Sequence, residues 1–120
     1  MLKTGFENLR MYQLALELAE AIWGVVAQWD FMAKDTVGKQ VVRAADSVGA
    51  NIAEGTGRGS VAENRRFAKI ARGSLFEVKH WIRLAATRNL LSAKEKQNIE
   101  TILNELLPKL SNYIKAIDGR

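Results

Sequence analysis

The sequence of 120 residues contains no cysteine. That excludes disulfide scaffolds, thiolate zinc sites and cysteine nucleophiles in one step, and it fits a reducing cytoplasm. His80 is the single histidine, so no histidine pair, facial triad or Ser-His-Asp set can form; it reads as a surface or interface residue rather than a catalyst. No apolar run approaches the roughly 18–20 residues that a membrane-spanning helix needs. The opening Met1-Leu2-Lys3-Thr4-Gly5-Phe6-Glu7 has no signal-peptide apolar region, so the protein is expected in the cytoplasm and off the membrane. No acids are spaced as in a calcium loop. The sequence therefore predicts no metal, no cofactor and no enzymatic activity, with an acid-based site at Glu54 and Glu77 as the one enzymatic alternative.

Sustained period-two alternation is also missing, and so are repeats and low-complexity stretches. What is present is helical. Hydrophobic residues make up 48% and charged residues 26%, enough for a core within one domain spanning 1–120. Four amphipathic segments are predicted as helices at about 8–29, 35–54, 61–87 and 93–117, with loops short enough for an antiparallel up-down-up-down four-helix bundle, an all-α fold. The first carries a coiled-coil-like seam of Leu9, Tyr12, Leu16, Ala19, Trp23 and Val26. The second places Val37, Val41, Ala45, Val48 and Ile52 on one side, with Gly55 as its expected stop. Ser60-Val61-Ala62-Glu63 and Ser92-Ala93-Lys94-Glu95 read as capping boxes that start the third and fourth. The fourth runs through Ile99, Leu103, Leu106, Leu110, Tyr113 and Ile117, and its lone Pro108 predicts a kink or a break.

Apolar residues cover roughly 220° of the first helix, where a bundle helix needs little more than about 100°. The surplus, including Trp23 or Trp29, predicts self-association; the alternative is that the loop at 30–34 folds back over it. Charge is split unevenly as well. Residues 1–60 carry 6 Lys and Arg against 7 Asp and Glu, whereas residues 61–120 carry 12 against 6, so the whole excess of +5 lies in the second half.

On the third helix, Arg65, Lys69, Arg72, Lys79 and Arg83 fall within an arc of roughly 80° along about 27 Å, with Phe76 in the same stripe. No carboxylate of that helix joins them, although mixed signs would gain i,i+4 pairs. The opposite face, Phe67, Ile70, Ser74, Val78, Trp81 and Ala85, is expected to be the core. A phosphate backbone would neutralise the stripe and Phe76 would stack on an unpaired base; acids of a neighbouring helix or subunit are the competing explanation. Before it, Gly55-Thr56-Gly57-Arg58-Gly59-Ser60 is neither a P-loop nor a dinucleotide fingerprint. It reads as a flexible connection, or as a phosphate seat at a helix start with Arg58 adding a guanidinium. Arg43, Ser47, Asn51 and Glu54 share one face of the second helix, and with Ser74 and Glu77 they could form a hydrogen-bonded cluster, structural rather than functional.

The run Val42-Arg43-Ala44-Ala45-Asp46-Ser47-Val48-Gly49-Ala50-Asn51-Ile52-Ala53-Glu54-Gly55, followed by Gly73-Ser74-Leu75-Phe76-Glu77, closely resembles the bacterial four-helix-bundle family named for reading frames inside 23S ribosomal RNA intervening sequences. The resemblance covers nearly the whole chain from Phe6-Glu7-Asn8-Leu9 onward. It departs at Gly49, where many members have proline, which implies a slightly looser helix and no change of fold. The resemblance implies an antiparallel bundle assembled as a homopentamer around a central channel. It also implies kinship with the accessory protein of diversity-generating retroelements, a basic pentamer that binds nucleic acid and a reverse transcriptase. Many members have no established biochemical function. Taken together, the sequence predicts a non-enzymatic, oligomeric nucleic-acid-binding protein, RNA slightly preferred over DNA, with weak sequence selectivity because phosphate contacts position rather than specify. The alternative is a protein-interaction scaffold that recruits another protein such as a polymerase.

Overall fold

Four long helices carry the chain: α1 (Arg10–Val26), α2 (Lys39–Gly57), α3 (Val61–Thr87) and α4 (Ala93–Asp118). The structure is a computed structural model that describes residues 5–119, so the reading of the first four residues lies outside it. Helix ends follow local side-chain chemistry. At α4, the Ser92 hydroxyl accepts from the Glu95 amide at 3.1 Å while the Glu95 carboxylate accepts from the Ser92 amide at 2.9 Å, a complete capping box. At α3 only half of the box forms: Ser60 Oγ accepts from the Glu63 amide at 3.3 Å, but the Glu63 carboxylate turns to Arg66. The α3 C-terminus closes as a Schellman motif, with Asn89 at φ 59° and the Leu90 and Asn89 amides donating to Ala85 and Ala86.

Three boundaries differ from expectation. The second helix does not begin near Asp35. Asp30 accepts from the Ala33 amide at 3.0 Å and starts a helical turn, Phe31–Ala33, which passes through a π-turn, Lys34–Gly38, into α2. Asp30 therefore starts the second helical segment rather than ending the first, which stops at Val26. Nor does Gly55 stop α2, which continues to Gly57; the left-handed residue is Gly59, at φ +77°. Gly55 is buried in the middle of a contact, where an added Cβ would sit 2.9 Å from Phe67 Cβ and 3.2 Å from the Asn64 carbonyl oxygen. Its lack of a side chain serves close approach of α3, not a turn.

Helix α4 runs through Pro108 without a break. Pro108 lies on the solvent side, as does Asn104, whose carbonyl is deprived of a donor, so water can take its place. Likewise α2 is uninterrupted at Gly49, which packs on Tyr12.

Each helix packs against two others: α1 against α2 and α4, and α3 against α2 and α4, with no comparable contact along the diagonals. Neighbours run antiparallel, as short connections require. Tyr12 at the start of α1 faces Gly49 late in α2, Arg43 early in α2 meets Glu77 late in α3, and Asn64 early in α3 donates to the Tyr113 hydroxyl late in α4 at 2.7 Å. Leu14, Leu18, Val41, Val48, Leu75, Val78, Ile99, Leu106 and Leu110 fill the centre.

The helices sit in this square at rotations that their apolar residues alone do not dictate. In α1 the core takes Met11, Leu14, Ala15, Leu18, Ile22 and Val26; of the expected seam only Val26 is among them, and Leu9, Tyr12, Leu16, Ala19 and Trp23 lie roughly 110° around the helix. In α3 it takes Ala68, Ala71, Leu75, Val78, Ile82 and Ala85, roughly 70° from the expected face. Ile70 is exposed, and Phe67, Ser74 and Trp81 are only half-buried. Alanine carries little hydrophobic weight in a sequence count, yet its size is what lets helix backbones approach; Ala68 and Ala71 sit where the axes come close.

Candidate nucleic-acid interface

On α3, Lys69, Arg72, Lys79 and Arg83 rise at intervals of one or two turns over about 21 Å. None of the four side chains makes an ion pair or a hydrogen bond among the described residues. Within each of the pairs Lys69–Arg72 and Lys79–Arg83 the rise along the helix is shorter than the screening length of about 8 Å at physiological salt, so the two cations of a pair reinforce one another's field. Phe76 stands within the row, 55% exposed. The acids of α3 contribute nothing to neutralising it: Glu63 pairs with Arg66, and Glu77 accepts from both the Arg43 guanidinium and, at 3.0 Å, the Trp81 indole.

Other cations are answered within the chain. Arg10 reaches Glu105 at 3.2 Å and Glu17 at 3.3 Å. The Glu105 hydrogen bond, helped by the charges of Glu105 and Glu17, holds the Arg10 guanidinium above its ordinary pKa against desolvation that acts the other way. Lys39 pairs with Asp35 at 3.1 Å. The two outer members of the expected binding set are answered too: Arg65 lies 3.6 Å from Asp118 of α4, and Arg58 pairs with Glu54 at 2.7 Å while stacking on Phe67. Glu54 thus engages Arg58, and Ser60 takes the Glu63 amide at the start of α3, so two of the groups that a phosphate seat in the glycine-rich segment would use already have partners. The uncompensated surface is the central and C-terminal part of α3.

The polar residues shared with the family motif come together only in part. Ser47 and Ser74 hydroxyls meet at 2.6 Å between α2 and α3, and Arg43 joins Glu77. Asn51 donates to the Ser47 carbonyl of its own helix at 2.7 Å, and Glu54 goes to Arg58 rather than toward Glu77. Two carboxylates that do not share a site cannot divide acid and base roles. The arrangement pins α2 to α3.

Sequence reasoning missed the other wall of the basic surface. A groove of about 600 Å³ between α3 and α4 is lined by Phe76, Lys79, His80 and Arg83 on one side and by Lys96, Glu100 and Asn104 on the other. Lys96, Glu100 and Asn104 recur at i, i+4 and i+8 beside the buried Ile99 and Leu103. That polar stripe was readable, but only the pairing of α3 with α4 shows what it faces. Among the described residues no three acid or histidine side chains gather as metal ligands would, and no helix is long and apolar enough to cross a membrane.

A second surface concerns the expected oligomer contacts. Trp23 is 62% exposed, and close by in sequence Phe31 and Met32 are 79% and 77% exposed. The turn after α1 therefore does not cover the apolar surplus; it adds to it. Trp29 does not belong to that surface. It is half-buried against the core, and its indole N–H donates to the Leu90 carbonyl at 2.8 Å.

A sequence profile of the 23S rRNA-intervening sequence protein family matches residues 7–112. Among solved structures, a protein of unknown function from the S23 ribosomal protein family of Bacteroides thetaiotaomicron VPI-5482 superposes with a TM-score of 0.78 at 24% sequence identity. The match covers 88% of this chain and 95% of that one, and at this identity it speaks to fold alone. No curated protein matches the chain.

Proposed function

We propose that this chain, which belongs to the 23S rRNA-intervening sequence protein family, is a non-enzymatic nucleic-acid-binding protein that holds phosphate backbones along α3. The observation that carries this reading is the row of Lys69, Arg72, Lys79 and Arg83, which has no anionic partner among the described residues. Such a row stores repulsion that an external polyanion relieves, with release of its counterions as the driving term. Because backbone contacts position without specifying, selectivity along the row is weak.

The exposed apolar corner of Trp23, Phe31 and Met32 supports a second element of the reading, self-association of copies of the chain. A ring of modest sites gains avidity when one strand reaches several of them. The same corner favours the protein-scaffold alternative. A single stoichiometric protein partner retained after nuclease treatment, with no affinity for nucleic acid, would establish that alternative instead.

The test is fluorescence anisotropy with short single- and double-stranded RNA and DNA across a salt series. Four contacts on a single strand predict a log–log slope of about −3. Reversal of charge in the double variant Arg72→Glu, Lys79→Glu is expected to weaken binding by about 100-fold or more while helicity and oligomeric mass stay unchanged. Equal affinity in that variant would remove α3 from the interface.

A further inference from the structure

The groove between α3 and α4 differs from the rest of the basic row in what it places beside the cations. Phe76, Lys79 and Arg83 come from α3, and Lys96, Glu100 and Asn104 from α4. Glu100 is the one acid lining this groove. Its carboxylate makes no ion pair or hydrogen bond among the described residues, although Lys96 lies one turn before it and two more cations share the groove. A carboxylate there lowers affinity for phosphate, so backbone binding alone gives it no role. A base edge that presents N–H donors does.

Among the bases, guanine matches a carboxylate best. Its N1–H and N2–H point the same way and meet the two oxygens as a pair of parallel hydrogen bonds, the second oxygen losing nothing. Adenine and cytosine set a single amino group beside a ring-nitrogen lone pair, which repels the second oxygen. Uracil and thymine flank their one N–H with two carbonyls. In a duplex the same guanine edge is taken up by its pairing partner. An exposed aromatic ring beside the carboxylate supplies the stacking surface that an unpaired base seeks.

We propose that the α3–α4 groove seats one unpaired guanine of a single strand, stacked on Phe76 with its N1–H and N2–H donated to Glu100. Lys79, Arg83 and Lys96 take the flanking phosphates, and Asn104, one turn beyond Glu100, offers an amide N–H to guanine O6. A volume of about 600 Å³ admits one nucleotide with room for its phosphates, not a duplex. This assignment rests on the reading of α3 as a nucleic-acid surface and adds one read position to an otherwise unselective row.

The experiment uses the full chain and labelled oligouridylates of about 11 nucleotides, each with a single central G, A or C, beside an all-U strand, the matching deoxy strands and a G-containing duplex. The G strand is expected to bind about tenfold more tightly than the others, in RNA and DNA alike. Glu100→Gln should abolish that preference and, by removing a negative charge, tighten binding of the all-U strand. Phe76→Ala should weaken every single strand by about tenfold and leave the duplex unchanged. If Glu100→Gln tightens all strands by one common factor, Glu100 is only repulsive; the guanine seat is then wrong, while backbone binding stands. If no strand binds even at low salt, backbone binding falls and the seat with it.

Discussion

The two flanks of the bundle solve the same problem in opposite currencies. On the α1–α2 flank Lys39 pairs with Asp35 and Arg58 with Glu54, Arg43 is answered across the seam by Glu77 of α3, and what is left over is apolar: Trp23, Phe31 and Met32. On the α3–α4 flank Val61, Ile70 and Phe76 are exposed too, though less than Phe31 and Met32, and what distinguishes it is the positive charge left over in the row from Lys69 to Arg83. A surplus of apolar surface is relieved by another protein surface, because water is released whatever the partner's charge. A surplus of one sign of charge is relieved by a polyanion. The difference shows how a chain of this length can hold two binding surfaces without mixing their requirements.

The contrast is sharpest inside α1, which carries both a buried and an exposed apolar stripe. Leu18→Ala, on the buried stripe, is expected to cost about 2–5 kcal/mol of stability, since a fully enclosed leucine leaves a cavity. Leu16→Ala, two residues away on the exposed side, should change the stability of the single chain by less than about 0.5 kcal/mol. Urea denaturation of both variants decides it; equal losses would mean the α1 rotation is wrong.

The seam that joins the flanks, α2 against α3, gives a smaller effect. Gly55→Ala places a methyl 2.9 Å from Phe67 Cβ and close to α3 backbone, and should cost about 1–3 kcal/mol. Gly57→Ala meets open space and should gain up to about 1 kcal/mol, because alanine restricts the unfolded chain and so lowers the entropy lost on folding into the helix. A thermal melt in which both variants shift the same way would contradict the close approach at Gly55.

The smallest effect on the fold is expected on the exposed corner. Trp23→Ser should leave the unfolding free energy of the single chain within about 0.5 kcal/mol of the parent, yet lower the mass seen by sedimentation. An unchanged mass would break the comparison, because the apolar surplus would then have no partner in a second copy.

Much of this was legible along the chain. The capping serines, the Asn89 stop and the apolar positions of α2 are local in origin, and the row from Lys69 to Arg83 is a matter of helical spacing. Three features were not. Which stripe of α1 faces inward depends on the shape of its two neighbours, since both stripes are apolar enough to be buried. The face of α3 follows small Ala68 and Ala71 rather than bulky Phe67 and Ile70, because axis separation is set across the interface. The charge balance of Arg65 turned on Asp118, which is brought in from the far end of α4, whereas the Glu54–Arg58 pair is an i,i+4 spacing that the chain itself displays.

The amino-acid order by itself determined four helices, their polarity and a basic row on the third, because hydrogen bonding within a helix and its caps are satisfied between residues close in sequence. Only the tertiary structure decided which apolar stripe is core, which cations remain unanswered and that Glu100 shares a groove with Phe76. Those outcomes depend on distances between helices, and no spacing along one chain segment contains them.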